Sequence, residues 1–215
     1  MEVWDVVVVG GGPAGAACAV AARQADPGAR VLVLDRAEFP RDKVCGDAVA
    51  AEAFDVLTGL GLDTAALTEG YPLIPGLRLR SPGGSLVERP LPRPAVVVPR
   101  AVLDARLLEA ALATGAQLRR HHVRRIEPGP DGVVVDGELQ ARVLVGADGA
   151  ESVVRRAVGA RPNPPDALAV AIRGYAPEPP GQPAGPDGEV DALASQGVDQ
   201  RLGIADQQHR PVQDG

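Results

Sequence analysis

The sequence predicts an α/β fold organised on a parallel sheet, and three observations carry that expectation. Val3, Val6, Val7, Val8 and Val9 form a near-continuous β-branched run, the pattern of a strand covered on both faces. Gly10, Gly11 and Gly12 end the run and open a stretch of small residues, Ala14, Ala16, Ala17, Ala19, Val20, Ala21 and Ala22, that reads as a closely packed helix. A second apolar run, Arg30 to Leu34, closes on Asp35, so strand, helix and strand occupy roughly the 30 residues of a βαβ unit.

The other elements follow in order. Pro13 suits a first helical turn, and Asp26, Pro27 and Gly28 terminate that helix. Asp47 is expected to cap a helix running to about Gly59. Leu77 to Arg80 and Ser85 to Glu88 read as a hairpin around Pro82, Gly83 and Gly84. Val96 to Val98 predicts a strand, and Val102, Leu103, Leu107, Leu108, Ala111 and Leu112 recur at helical spacing over Ala101 to Thr114. Strands are expected at Gln117 to Arg119, Val123 to Glu127, Val133 to Val135 and Leu139 to Val145, then a short helix near Ser152 to Val158. Residues 167 to 175 begin one more strand. Beyond them, six prolines, six glycines and six glutamines break every period, so residues 176 to 215 are expected to be a disordered tail after a domain spanning 1 to 175.

Composition narrows the function classes. With 45% apolar and 23% charged residues, the 215-residue chain can bury a substantial core. Only Trp4, Phe39, Phe54, Tyr71 and Tyr175 are aromatic, too few for stacking on single-stranded nucleic acid. The net charge of −6 is concentrated after residue 175, where seven acids face two bases, so no basic face for a polyanion is evident. Cys18 and Cys45 form neither a CxxC pair nor a cluster with histidine, which argues against a disulfide framework or a metal site. The apolar stretch Val3 to Val9 is too short for a signal h-region or a membrane span, and the expected location is cytoplasmic or peripheral to a membrane.

Gly10, Gly12 and Gly15 form GxGxxG between strand and helix. Gly10 permits the tight turn, Gly12 lets backbone approach a pyrophosphate, and Gly15 lets the helix pack close to the strand. The N–H groups and dipole of the first helical turn then hold phosphate. Asp35, 20 residues beyond Gly15, can accept the hydroxyls of an adenosine ribose, and its charge repels a 2′-phosphate, so the site suits FAD or NAD over NADP. The motif alone does not choose between FAD and NAD.

DVVVVGGGPAGAACA with LDRAEFPRDKVCGDAV, then VVVPRAVLDARLLEAA and LVGADGAESVVRRAVG, resembles the geranylgeranyl reductase family of FAD-dependent oxidoreductases, within the aromatic-hydroxylase flavoprotein fold. The match covers residues 3 to about 175. It implies a Rossmann-like FAD-binding domain with inserted β elements. Gly10, Gly12, Ala14 and Gly15 would hold the FAD pyrophosphate, Asp35 and Arg36 the ribose, Arg100 the flavin region, and Val123 the adenine through its backbone. Asp148 would help to hold the cofactor, and Cys45 and Gly46 would lie beside the isoalloxazine ring. NAD(P)H as reductant and an isoprenoid, lipid-like substrate are further implications, with oxygenation as the rival reaction within the same fold and a non-catalytic nucleotide-binding fragment as the rival outside it.

Several residues have plainer readings. Asp148 can be a helix cap, Arg100 can satisfy Asp104 one turn along its helix, and Cys18 can be core packing. Cys45 just before Asp47 would gain reactivity from a helix N-terminus, or simply pack. Arg41, Asp42 and Lys43 read as a solvated loop, and His121 and His122 as surface residues. A second Gly-Asp motif expected of the family is absent, since Gly46-Asp47 is the only such pair. The expectation is a family member truncated before its substrate domain is complete, with a foreign tail from near Ala176.

Overall fold

The computed structural model describes residues 1–161 apart from Pro82, and beyond them only isolated positions. In chain order the elements are β1 (Glu2–Val9), α1 (Pro13–Ala25), β2 (Val31–Asp35), β3 (Ala48–Val49), α2 (Ala51–Gly59), α3 (Thr64–Leu67), β4 (Leu73–Arg80), β5 (Leu86–Val97), α4 (Arg100–Ala113), β6 (Gln117–Arg120), β7 (Ile126–Gly129), β8 (Gly132–Val135), β9 (Leu139–Gly146) and α5 (Val153–Ala157). Short pairings follow at β10 (Val170–Ala171), β11 (Asp191–Leu193) and β12 (Ile204–Ala205). The chain divides into two units, residues 1–43, 54–69 and 99–162 in the first and 44–53, 70–98 and 163–215 in the second.

The first unit holds a six-stranded sheet in the order β6-β2-β1-β9-β8-β7. β1 pairs parallel with β2, from Val6 opposite Val31 to Val9 opposite Leu34, and parallel with β9 on its other side. This is the predicted βαβ unit. All five residues of β2 are buried, which explains why its sequence is continuous rather than alternating. α1 and α4 pack against each other. α1 buries Gly15, Ala16, Ala19 and Val20, while α4 buries Leu103, Leu107, Leu108 and Ala111. The Arg23 guanidinium donates to the carbonyls of Thr114 at 2.8 Å and Ala29 at 2.6 Å, tying the C-terminal end of α4 to the turn before β2. Trp4, Val7, Val9, Leu32, Leu34, Val123, Val135, Leu139, Ala141 and Val154 form one buried cluster. Burial of each large aliphatic side chain contributes about 1.5–3 kcal/mol.

The second unit is built on the β4–β5 hairpin, extended by β3 on one side and β11 on the other. Its strands run further than the sequence pattern suggests. β5 continues through Pro90, Pro92 and Pro94, and the pairing register shifts between Ile74, opposite Ala95, and Gly76, opposite Pro90.

Several local expectations are corrected. Asp47 does not cap α2: it sits in the left-handed region at φ 59°, its carbonyl accepts the Val98 N–H at 2.9 Å, and β3 intervenes before α2 begins at Ala51. Residues 123–125 are not strand, because Asp136 takes their backbone N–H groups in place of a ladder, at 3.0 Å from Arg124 and 2.7 Å from Arg125. The short α3 had no clear apolar period, and Asp63 caps it by accepting the N–H groups of Ala65 and Ala66. Beyond residue 175, the described pairings are Asp191–Leu193 with β4 and Ile204–Ala205 with β10. The rest of 176–215, and most of the strand expected over 167–175, lie outside the described residues. Among the described residues, no helix is long and apolar enough to cross a membrane, and no cluster suited to a metal ion is found.

Candidate cofactor site

The site grows from the carboxyl end of β1, which has β2 on one side and β9 on the other, the place where chain order reverses across a parallel sheet. Gly10 follows β1 with φ 105°, a conformation in which a Cβ would run into the Ala147 carbonyl. Its N–H donates to Leu34 at 2.7 Å, and the Ala147 N–H donates to Val9 at 2.7 Å, so three strand ends are tied at one point. Gly15 faces the Gly10 carbonyl so closely that a side chain has no room, which lets α1 descend onto the strand. Gly12 is the N-cap of α1 and supplies no side-chain cap, and Pro13 follows at the first helical position. The first-turn N–H groups, including those of Ala14 and Gly15, have no partner within the helix and point toward the turn. Ala14 is exposed, and its methyl leaves the approach open.

Asp35 is buried at the end of β2. Its Oδ2 accepts the Gly11 N–H at 2.8 Å and its Oδ1 accepts the Ala37 N–H at 2.8 Å. A carboxylate has about four acceptor directions, and these two bonds occupy two of them. Arg36 is exposed beside it. Val123 is buried in the core cluster, and the neighbouring His121 N–H donates to the Asp35 carbonyl at 2.7 Å, fixing this segment to the end of β2.

Arg100, at the start of α4, forms a two-pronged pair with Asp104, 2.6 Å from Nε to Oδ1 and 2.8 Å from Nη2 to Oδ2. Asp104 is fully buried. It also holds Arg41, whose Nη1 lies 3.1 Å from Oδ2. Arg41 is therefore no solvated loop residue: its side chain is 18% exposed, 3.9 Å from Asp35 and stacked on Phe39 at 4.8 Å from the ring centroid. Burial beside two carboxylates outweighs hydration of a guanidinium that can spread its charge over both. Asp42 and Lys43 are exposed, as expected. Phe39 in turn covers Gly11, its ring about 3.1 Å from where a Cβ would stand.

Asp148 acts as a cap. Its Oδ1 accepts the Ser152 hydroxyl at 2.5 Å and its Oδ2 the Val153 N–H at 2.6 Å, with Val154 at 3.3 Å. Ser152 then accepts the Arg155 N–H at 2.9 Å. The carboxylate thereby fixes the turn from Gly146 to Gly149 that abuts Gly10. Cys45 and Gly46 belong to the second unit, the thiol half-buried and the glycine exposed. No helix starts at Asp47, so the expected helix-dipole activation of Cys45 has no structural basis. Cys18 is half-buried rather than core, and burial pushes its thiol up from the usual value, toward the unreactive protonated form.

Sequence reasoning missed one pair beside the site. His121 Nε2 lies 2.7 Å from Asp136 Oδ2, where a surface position was expected, while His122 is exposed. Burial pulls the Asp136 carboxyl upward, but the hydrogen bonds from His121 and from the backbone N–H groups of Arg125 and Arg124 prevail and hold it below the usual value of 3.8. Fifteen residues and a hairpin separate the two side chains, and no sequence period links them.

The residues fit a dinucleotide on two structural counts. Gly12 opens a cradle whose nearest side-chain atoms, were a Cβ present, would be Arg41 Nη2 at 3.5 Å, Arg100 Nη2 at 3.7 Å and Asp104 Oδ2 at 3.9 Å. Arg41 Nη1 is buried and faces Asp104 Oδ2 at 3.1 Å, which turns Nη2 of the same guanidinium toward that cradle. Two guanidiniums and a helix N-terminus converge on the place a diphosphate would occupy.

Residues 3–173 match the family described as FAD binding domain. The chain is 39% identical over 188 residues to the menaquinone reductase of Mycolicibacterium smegmatis, covering 80% of this chain and 44% of that protein. It is 34% identical over 170 residues to digeranylgeranylglycerophospholipid reductase 2 of Methanopyrus kandleri, covering 74% and 41%. It is also 34% identical over 163 residues to the rifampicin monooxygenase of Streptomyces venezuelae, covering 73% and 34%. The myxobacterial chondrochloren halogenase CndH aligns with a TM-score of 0.61 at 28% identity, over 71% of this chain and 39% of that one. The resemblance to geranylgeranyl reductases is thus one of several within the group, and the chain spans less than half the length of these relatives. With the glycine turn, the buried carboxylate at the end of β2 and this match together, the chain belongs to the FAD binding domain family.

Proposed function

We propose that this chain is the FAD-binding part of a reductase that saturates a carbon–carbon double bond in an isoprenoid lipid, with NAD(P)H as the reductant. The observation that carries the choice is the identity to two reductases named for isoprenoid-bearing molecules, a menaquinone and a digeranylgeranyl lipid. When bound, FAD supplies two-electron transfer, while the protein supplies binding and orientation. Asp35 receives the adenosine ribose, and the N–H groups of the α1 first turn receive the diphosphate. Asp148 holds the 146–149 turn against Gly10, which keeps the cradle in shape. The same reading puts Cys45 and Gly46 near the reacting ring and gives Val123 to the adenine. A substrate of this kind partitions into a lipid surface, which fits a protein working at the membrane periphery in the cytoplasm.

The monooxygenase relative supports a second reading, oxygenation. Incubating the FAD-loaded protein with NADH or NADPH and a polyprenyl quinone, followed by mass spectrometry, separates them. After any quinol is reoxidised to the quinone, a product still heavier by two hydrogens in its polyprenyl chain supports the reductase. A product heavier by one oxygen, formed only in air, overturns it.

A further inference from the structure

The nucleotide site contains a buried acid that phosphate electrostatics alone would disfavour. Asp104 lies one turn into α4, fully buried, with its negative charge 3.9 Å from where a Cβ of Gly12 would stand. A carboxylate there repels a diphosphate. Yet both of its oxygens are engaged by the two guanidiniums that face the same cradle: Oδ1 takes Arg100 Nε, and Oδ2 takes Arg100 Nη2 and faces Arg41 Nη1. Arg41 comes from the loop after β2 and Arg100 from the start of α4, so nothing in the backbone alone aligns them. Without an anion between them, two like charges on flexible stems separate and turn to water. Asp104 removes that freedom, and Phe39, stacked under Arg41, closes the remaining direction.

We propose that Asp104 is a positioning residue for the diphosphate of the cofactor: it fixes Arg41 and Arg100 side by side over Gly12, at the cost of a nearby negative charge. The proposal rests on the nucleotide reading of the site. It has a consequence of unusual sign. Bare Coulomb reasoning says that neutralising Asp104 strengthens binding of an anion, since a like charge is removed. Positioning says that binding weakens, because forked, charge-assisted donors lose their alignment. Asp104 makes no described contact with Asp35, so the loss is expected to fall chiefly on the diphosphate, with Arg41, 3.9 Å from Asp35 Oδ2, lying between the two acids.

Titration calorimetry with ADP and with adenosine, on the wild-type chain, Asp104→Asn and Arg41→Lys, reads both predictions, and emission from Trp4, the sole tryptophan, reports folding. Asp104→Asn is expected to bind ADP about tenfold more weakly while adenosine affinity is unchanged. Arg41→Lys, which keeps the charge and leaves the Arg100–Asp104 pair intact, is expected to weaken ADP binding more than adenosine binding, Arg41 also lying 3.9 Å from Asp35. If Asp104→Asn does not fold, Asp104→Glu, which keeps the charge and displaces it by one methylene, is read in the same way. ADP bound as tightly as wild type, or more tightly, by a folded variant overturns the positioning role. Equal losses for ADP and adenosine also overturn it, since they report general damage. A wild-type chain that binds neither ligand contradicts the nucleotide reading itself and removes the basis of the proposal.

Discussion

Asp35 Oδ2 accepts the Gly11 N–H at 2.8 Å across 24 residues, so the acid at the end of β2 and the glycine turn after β1 form one rigid unit. On the proposed reading, an acceptor placed in this way would keep a ribose at a fixed offset from the first turn of α1. Substituting it therefore removes both a sugar contact and a buried brace. Asp35→Asn is expected to weaken adenosine binding about tenfold, and Asp35→Ala further, with calorimetry as the readout. Equal affinity in all three proteins would contradict the assignment.

Glycine at position 15 is a steric requirement. A methyl there meets the Gly10 carbonyl, which is held by the sheet on both sides. Gly15→Ala is expected to destabilise the fold by about 1–3 kcal/mol, measured by denaturant unfolding with Trp4 fluorescence. Gly46→Ala, with open space around it, is the control and should leave stability within about 0.5 kcal/mol.

Capping by Asp148 predicts local rather than global damage. Asp148→Ala frees the Ser152 hydroxyl and the Val153 and Val154 N–H groups. The expected loss is about 1 kcal/mol, with hydrogen exchange accelerated at residues 153–155. Unchanged exchange there would mean that the cap contributes nothing.

The Asp136 carboxyl is held below its ordinary value in the folded chain, with His121 and two backbone N–H groups as donors. A carboxylate lowered on folding contributes stability that is fully present above the unfolded value and disappears as pH falls through the folded one. Acid unfolding should therefore include a step below about pH 3.8 that Asp136→Asn removes. Because the His121 N–H also holds the Asp35 carbonyl, that substitution is expected to loosen the neighbouring segment as well, seen as faster exchange at His121.

Much of this architecture was legible in the letters. The valine run, the three glycines and the terminal Asp35 specified the βαβ unit, because burial on both strand faces and close helix packing leave few alternatives at those positions. The pairing of Arg100 with Asp104 was also readable, since four residues along a helix bring two side chains together. Arg41 was not. Its partners come from β2 and α4, and a loop that reads as RDK looks solvated until tertiary packing folds Phe39 and Arg41 back over the turn. Asp47 misled for a related reason: a left-handed backbone and a bond to Val98 overrode its preference for capping. The His121–Asp136 pair depends on the β7–β8 hairpin, a contact that no local period encodes.

The most direct test of the central claim is to add FAD to the purified protein, remove free cofactor by gel filtration, and record the visible spectrum of the protein peak for the wild type and Asp35→Ala. Retained absorbance with bands near roughly 370 and 450 nm in the wild type, lost or strongly reduced in the variant, is the predicted result. A colourless wild-type peak, or equal retention by the two proteins, would contradict it.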